Sequence, residues 1–177
     1  MVLCGGASRR MGSPKPFVEV GGAPMARRVA DALRAGGCTT VVAVGGDAAA
    51  LATIGLPHVV DRWPGEGPLG AVATALAEGA RLGVGRVVVA PCDLPFLTSA
   101  SVSTLLGSPS AVVVAAADRV QPLLSAWDPA QLSALEAEFT AGERRILSVL
   151  DRLAGVERVE VAAADLVNVN HPGDLPQ

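Results

Sequence analysis

The chain has 177 residues, half of them apolar, with a formal net charge of −3 and a pI near 5.3. That length fits one domain over residues 1–177 with a substantial core. The absence of a basic stripe, with two Trp, three Phe and no Tyr, excludes a nucleic-acid surface and favours small-molecule chemistry. Cys4, Cys38 and Cys92 lack C-x-x-C spacing, which argues against a disulfide framework or structural zinc and fits reduced thiols. With no secretory pattern and no apolar run of membrane-spanning length, the expectation is a cytoplasmic protein without membrane contact.

In chain order, Val2-Leu3-Cys4 reads as a strand running into a glycine-rich stretch, Gly5 to Lys15. Met25, Val29 and Leu33 share a helical face between Pro24, a good first-turn residue, and the stop at Gly36-Gly37. Thr39–Val44, Arg86–Ala90 and Ala111–Ala116 are continuous apolar runs, as strands buried on both faces should be, and are expected at the centre of a parallel sheet. A short Val59-Val60 strand precedes Asp61, and Leu69–Leu82 is an Ala-rich helix opened by Gly67-Pro68. Ser99–Leu106 predicts a shorter helix. Asp128 can cap another that carries Leu132, Leu135 and Phe139, and Val156–Val161 closes as a late strand. The strand-then-helix order predicts an α/β fold, a three-layer α/β/α sandwich with a mostly parallel sheet and ligands at the carboxyl ends of its strands.

Lys15 is the single lysine among fourteen basic residues, and it ends the glycine-rich run. A lysine there offers a compact charge on a flexible stem, suited to following a phosphate oxygen. Val2-Leu3-Cys4 leads into this run, Gly5 and Gly6 let backbone N–H groups turn toward an anion, Ser8 can donate a hydroxyl, Arg10 can fork onto phosphate, and Gly12 permits a second turn. These residues suit a nucleoside triphosphate; a plain glycine turn with solvated arginines is the alternative. The spacing fits neither the G-x-x-x-x-G-K-[ST] phosphate loop nor the dinucleotide fingerprint. Asp93 follows a buried strand directly and can ligate Mg²⁺ or merely cap the next turn. Asp61 has two open readings, nucleotide contact or an Asx turn. Gly67 opens a helix whose unpaired N–H groups can face a base or a phosphate. Arg144 and Arg145 are a solvated face or a clasp for an anionic acceptor. Asn168 and Asn170, two apart on an extended segment, point to one side and suit an acceptor phosphate.

The pattern G-G-x-S-x-R-M-G-x-x-K resembles the opening signature of the MobA-like nucleotidyltransferases, whose guanylyltransferase branch it matches most closely. Asp61–Gly70, Cys92-Asp93-Leu94-Pro95, Gln121-Pro122-Leu123, Gly142–Arg145 and Asn168–Leu175 resemble further motifs of that family in the same order. The resemblance implies a Rossmann-like nucleotidyltransferase fold, with GTP as donor and molybdopterin carrying molybdenum as acceptor. It also implies Mg²⁺ on Asp93, and Arg10, Lys15 and Asp93 as catalytic residues. Nucleotide binding then falls to Leu3, Gly5, Gly6, Ser8, Gly12, Lys15, Asp61, Gly67 and Asp93, and acceptor binding to Arg144, Asn168 and Asn170. Transient contact with cofactor-inserting proteins or apo-molybdoenzymes would follow. A cytidylyltransferase and a non-catalytic nucleotide-binding regulator or carrier are the alternatives.

Two features depart from the family pattern. Val44-Gly45-Gly46-Asp47 stands where the family commonly carries a base-reading Asn, leaving selectivity to backbone groups or Asp47. Only Met1–Cys4 precede the glycine loop, which is short for a central strand, so an upstream start is expected.

Overall fold

The computed structural model describes residues 1–5, 14–170 and 174. Their strands and helices are β1 (Val2–Leu3), β2 (Glu19–Val20), β3 (Ala23–Pro24), α1 (Met25–Ala35), β4 (Ala43–Val44), α2 (Ala48–Thr53), β5 (His58–Val59), α3 (Pro68–Arg81), β6 (Val87–Pro91), α4 (Ser99–Gly107), β7 (Val112–Ala116), β8 (Val120–Trp127), α5 (Leu132–Thr140), α6 (Ile146–Leu150) and β9 (Val156–Glu160). Among the described residues, β2 and β3 form an antiparallel pair, and the other strands form one sheet in the order β5-β4-β1-β6-β8-β7-β9.

Successive strand residues serve opposite layers, which explains the unbroken apolar runs. Val2, Cys4, Val88, Ala90, Val113 and Ala115 pack in one cluster with Val29 and Leu33 of α1, Leu51 of α2 and Val102 and Leu105 of α4. Leu3, Val87, Val89, Val112 and Val114 pack in another with Leu69, Val72 and Leu76 of α3, Leu135 and Phe139 of α5 and Val149 of α6. The predicted three-layer α/β/α sandwich is therefore present.

The centre of the sheet differs from the expectation. The three apolar runs do not adjoin: β1 lies between β4 and β6, and β8 is inserted antiparallel between β6 and β7. Pro122 interrupts the β8 run, and a strand-internal Pro argues against a central strand. The structure accommodates it at an irregularity, since the β7–β8 register shifts between Val114 and Ala115.

The short first strand is held on both sides. Val2 and Cys4 donate to the Val42 and Val44 carbonyls at 2.8 and 2.9 Å, and Ala90 and Cys92 donate to the Met1 and Leu3 carbonyls at 3.0 and 3.1 Å. The Met1 ammonium is itself buried and donates to the Val88 carbonyl at 2.6 Å. Desolvation lowers its pKa from 8.0 to about 6.

Candidate active site

β5, β4, β1 and β6 run parallel, so the segments that follow them, carrying Asp61, Gly45, Gly5 and Asp93, gather at one sheet edge. Chain connections leave β1 and β6 in opposite directions, and a cleft opens where such an order reverses. A cavity of about 450 Å³ lies there, lined among others by Leu3, Gly5, Lys15, Asp61, Gly67 and Asp93.

Lys15 begins a single 3-10 turn, Lys15–Phe17, set by Pro14 and Pro16, of which Pro16 is buried. Its ammonium lies 3.1 Å from Asp93 Oδ2, with side-chain exposures of 24% and 17%. The same ammonium donates to Asn170 Oδ1. Asp93 Oδ1 is buried and has no hydrogen-bond partner among the described residues. A buried carboxylate oxygen left this way is ordinarily costly, and it suits a hard cation whose remaining ligands are phosphate oxygens and water. Among the described residues no group of three or more His, Cys, Asp or Glu side chains clusters to hold a metal, and the carboxylates lining this cleft are Asp61 and Asp93.

The C-terminal segment lies against the same loop, its Val169 N–H donating to the Asp93 carbonyl at 2.9 Å. Asn168 and Asn170 both line a second cavity of about 930 Å³, together with Asp118, Arg119 and Asp174. Asn168 Oδ1 accepts from Gln121 Nε2 at 3.0 Å, and the Asn170 N–H donates to Asp174 Oδ2 at 2.7 Å. The Asn170 side chain thus joins the second cavity to the ammonium of the first.

Of the two readings of Asp61 the Asx turn is present, and the residue also lines the cavity. Its Oδ1 accepts from the Trp63 N–H at 3.0 Å, an Asx turn, and from Thr74 Oγ1 at 3.2 Å. Its Oδ2 faces Gly5, where a Cβ would stand 3.8 Å away. Gly45 must be glycine for two reasons, a φ of +70° and an approach of 3.2 Å between any Cβ and Gly5 Cα. Asp47 is exposed and caps α2, accepting from Ala50 N at 2.8 Å, and it does not line the cavity.

Gly67 has φ +94° and precedes α3, but its helix start is partly satisfied within the chain: Pro68 has no N–H, and Leu69 N donates to the Arg144 carbonyl at 3.2 Å. Arg144 is placed behind this turn instead of in either cavity. Its guanidinium donates to Glu66 Oε2 at 3.0 Å and to the Phe139 carbonyl at 2.8 Å and lies 3.9 Å from the Phe139 ring centroid. Gly6, Ser8, Arg10 and Gly12 lie outside the described residues.

Cys4 and Cys92 are buried neighbours on the cavity wall. A hydrogen bond with Cys4, followed by burial, pushes the Cys92 thiol well up, which leaves it a poor nucleophile at neutral pH. Sequence reasoning missed Arg119, Thr74 and the contact between Lys15 and Asn170. Only Arg119 left a signal, as a basic residue close before the Gln121-Pro122-Leu123 motif, and it lies in the bend that precedes β8.

This arrangement, with Gly5, a lysine and a carboxylate at a sheet edge and a second cavity linked to the lysine through Asn170, can hold a polyphosphate and present a second ligand to it. A molybdenum cofactor guanylyltransferase of Cereibacter sphaeroides is 33% identical over 178 residues, covering 99% of this chain and 92% of the relative. One of Rhizobium meliloti is 32% identical over 192 residues, covering 100% and 88%. The crystal structure of molybdopterin-guanine dinucleotide biosynthesis protein A from Archaeoglobus fulgidus superposes with a TM-score of 0.76 at 25% identity, covering 98% and 92%. The model of the MobA-like NTP transferase domain matches residues 1–170, and the chain belongs to that family of nucleotidyltransferases.

Proposed function

We propose that the protein transfers GMP from GTP to the phosphate of molybdopterin carrying molybdenum, forming the guanine dinucleotide cofactor and releasing pyrophosphate. The observation that carries this reading is the Lys15–Asn170 contact, which joins a cavity of about 450 Å³ beside Gly5 to one of about 930 Å³. The smaller cavity takes the nucleotide and the larger the acceptor. The names of the relatives, guanylyltransferases of the molybdenum cofactor, support this choice of donor and acceptor.

In the reaction an acceptor phosphate oxygen attacks the α-phosphorus, forming one P–O bond while the bond to the bridging oxygen breaks and pyrophosphate departs with its electron pair. The acceptor phosphate is already anionic at neutral pH, so no general base is needed, and positioning and charge neutralisation dominate. Lys15 is positioned to follow charge toward the leaving group, joined by Arg10. Asp93 would hold a divalent cation such as Mg²⁺, which would supply further charge neutralisation. Gly5, Gly6, Ser8 and Gly12 cradle the phosphates, with Leu3, Asp61 and Gly67 on the cavity wall. Asn168 and Asn170 orient the acceptor, and Arg119 lines its cavity.

Cys4, Cys38 and Cys92 are free thiols, and no helix among the described residues is long and apolar enough to cross a membrane, which supports a cytoplasmic setting. Delivery of the product to apo-molybdoenzymes or to cofactor-inserting proteins would involve transient contact. Pyrophosphate release measured with GTP, CTP, ATP and UTP, each with and without molybdopterin, tests the proposal. GTP with acceptor should exceed the others by at least about tenfold, or roughly 1.4 kcal/mol. Preference for CTP would make it a cytidylyltransferase, and equal binding of all four nucleotides without turnover would make it a regulator or carrier.

A further inference from the structure

Asp165 is a buried carboxylate, 3% exposed, outside both cavities. It lies on the 3-10 turn Ala163–Leu166, just before the extended segment that carries Asn168 and Asn170. Its Oδ2 accepts from the Thr98 N–H at 3.0 Å, from the Thr98 hydroxyl and from the Ser101 hydroxyl at 2.7 Å. Thr98 is the N-cap of α4, and its Oγ1 accepts from Ser101 N at 3.5 Å.

In a capping box, an acidic side chain three residues into the helix reaches back to the N-cap N–H. Here Ser101 occupies that third position and is too short, and a carboxylate from 67 residues away makes the bond instead. A negative group is also favoured at a helix N-terminus. Because α4 packs on the sheet through Val102 and Leu105, the partner that Asp165 grips is fixed in the core.

The downstream chain has a second fixed point. Val169 is fully buried in a small cluster with Val20 and Met25, and its N–H donates to the Asp93 carbonyl. Between Asp165 and Val169 the chain has little choice of path, and the next residue is Asn170, whose side chain accepts from Lys15. Losing the first anchor would leave the approach to Asn168 and Asn170 held at one end only.

We propose that Asp165 is a positioning residue for the acceptor: by capping α4 from a distance it holds residues 166–170 across the cleft, with Asn168 and Asn170 facing the larger cavity. It touches no substrate. The assignment of that cavity to the acceptor rests on the function proposed above, whereas the anchoring of the segment does not.

The test compares full-length wild type with Asp165→Ala and Asp165→Asn. Asparagine keeps an oxygen able to accept the same bonds, so it should restore most of what alanine loses. Amide hydrogen exchange of residues 166–170 should accelerate at least about tenfold in Asp165→Ala, beyond any change in β6. Asp165→Ala should raise the acceptor KM at least about tenfold while kcat at saturating acceptor and the Kd for GTP change less than about threefold. Asp165→Asn should stay within about threefold of wild type on each measure. Unchanged exchange at 166–170, acceleration spread evenly over the sheet, or a wild-type acceptor KM in Asp165→Ala would each overturn the proposal. If wild type itself transfers nothing to molybdopterin, the functional reading fails, and the exchange result still decides the anchoring.

Discussion

Lys15 and Asp93 share one ion pair, while the other oxygen of Asp93 is buried with no partner among the described residues. Such a pair contributes modestly to stability because part of each side chain stays wet. Its geometry has more consequence for chemistry than for folding. Lys15→Met and Asp93→Asn should each lower transfer at least about a hundredfold, the usual effect of removing preorganised charge. Each should move the melting temperature by no more than about 2–4 °C, which corresponds to roughly 1 kcal/mol at this size. Steady-state pyrophosphate release and a thermal melt check both, and near-normal turnover by either variant would remove that residue from the site.

At the scale of elements, the start of α3 is braced rather than open. Gly67 has a positive φ, and a Cβ there would stand 3.2 Å from the Arg144 carbonyl oxygen. Gly67→Ala should therefore destabilise by about 1–3 kcal/mol, read from denaturant unfolding. Arg144 was legible as the arginine of a Gly-x-Arg stretch, but its direction was not, since an arginine that lies on Phe139 and pairs with Glu66 reads the same in sequence as one reaching for an anion. Arg144→Ala should cost about 1–2 kcal/mol of stability through the lost hydrogen bonds and ring contact. A raised acceptor KM with unchanged unfolding would instead give Arg144 its predicted acceptor role.

For the whole molecule, the buried Met1 amine links stability to pH. Its pKa falls from 8.0 to about 6 on folding because burial disfavours the ammonium form. Between these values the unfolded chain binds a proton that the folded chain does not, so stability rises as pH goes from 6 to 8 and the penalty is constant below that window. Two pKa units bound the effect at about 2–3 kcal/mol. Urea unfolding of this chain at pH 6 and 8 should show the difference. Acetylating the amine, or adding four to six apolar residues before Met1, should abolish it, and the extension should also raise the melting temperature without changing substrate preference. A slope that survives acetylation would assign the pH dependence to other groups.

The sequence by itself determined the α/β class, the strand exits that carry Asp61 and Asp93, and the lysine after the glycine turn. These are local properties: burial on both faces of a strand makes an unbroken apolar run, and a short polar residue directly after such a run falls at a strand end. Only the tertiary structure decided the neighbours. β8 is half-buried along its first four residues and interrupted by Pro122, so its place between β6 and β7 follows from side chains such as Leu124 and Trp127 filling opposite layers. The meeting of Lys15 with Asn170, 155 residues apart, and the grip of Asp165 on α4 likewise depend on packing, because hydrogen bonds between distant segments leave no periodicity in the chain that makes them.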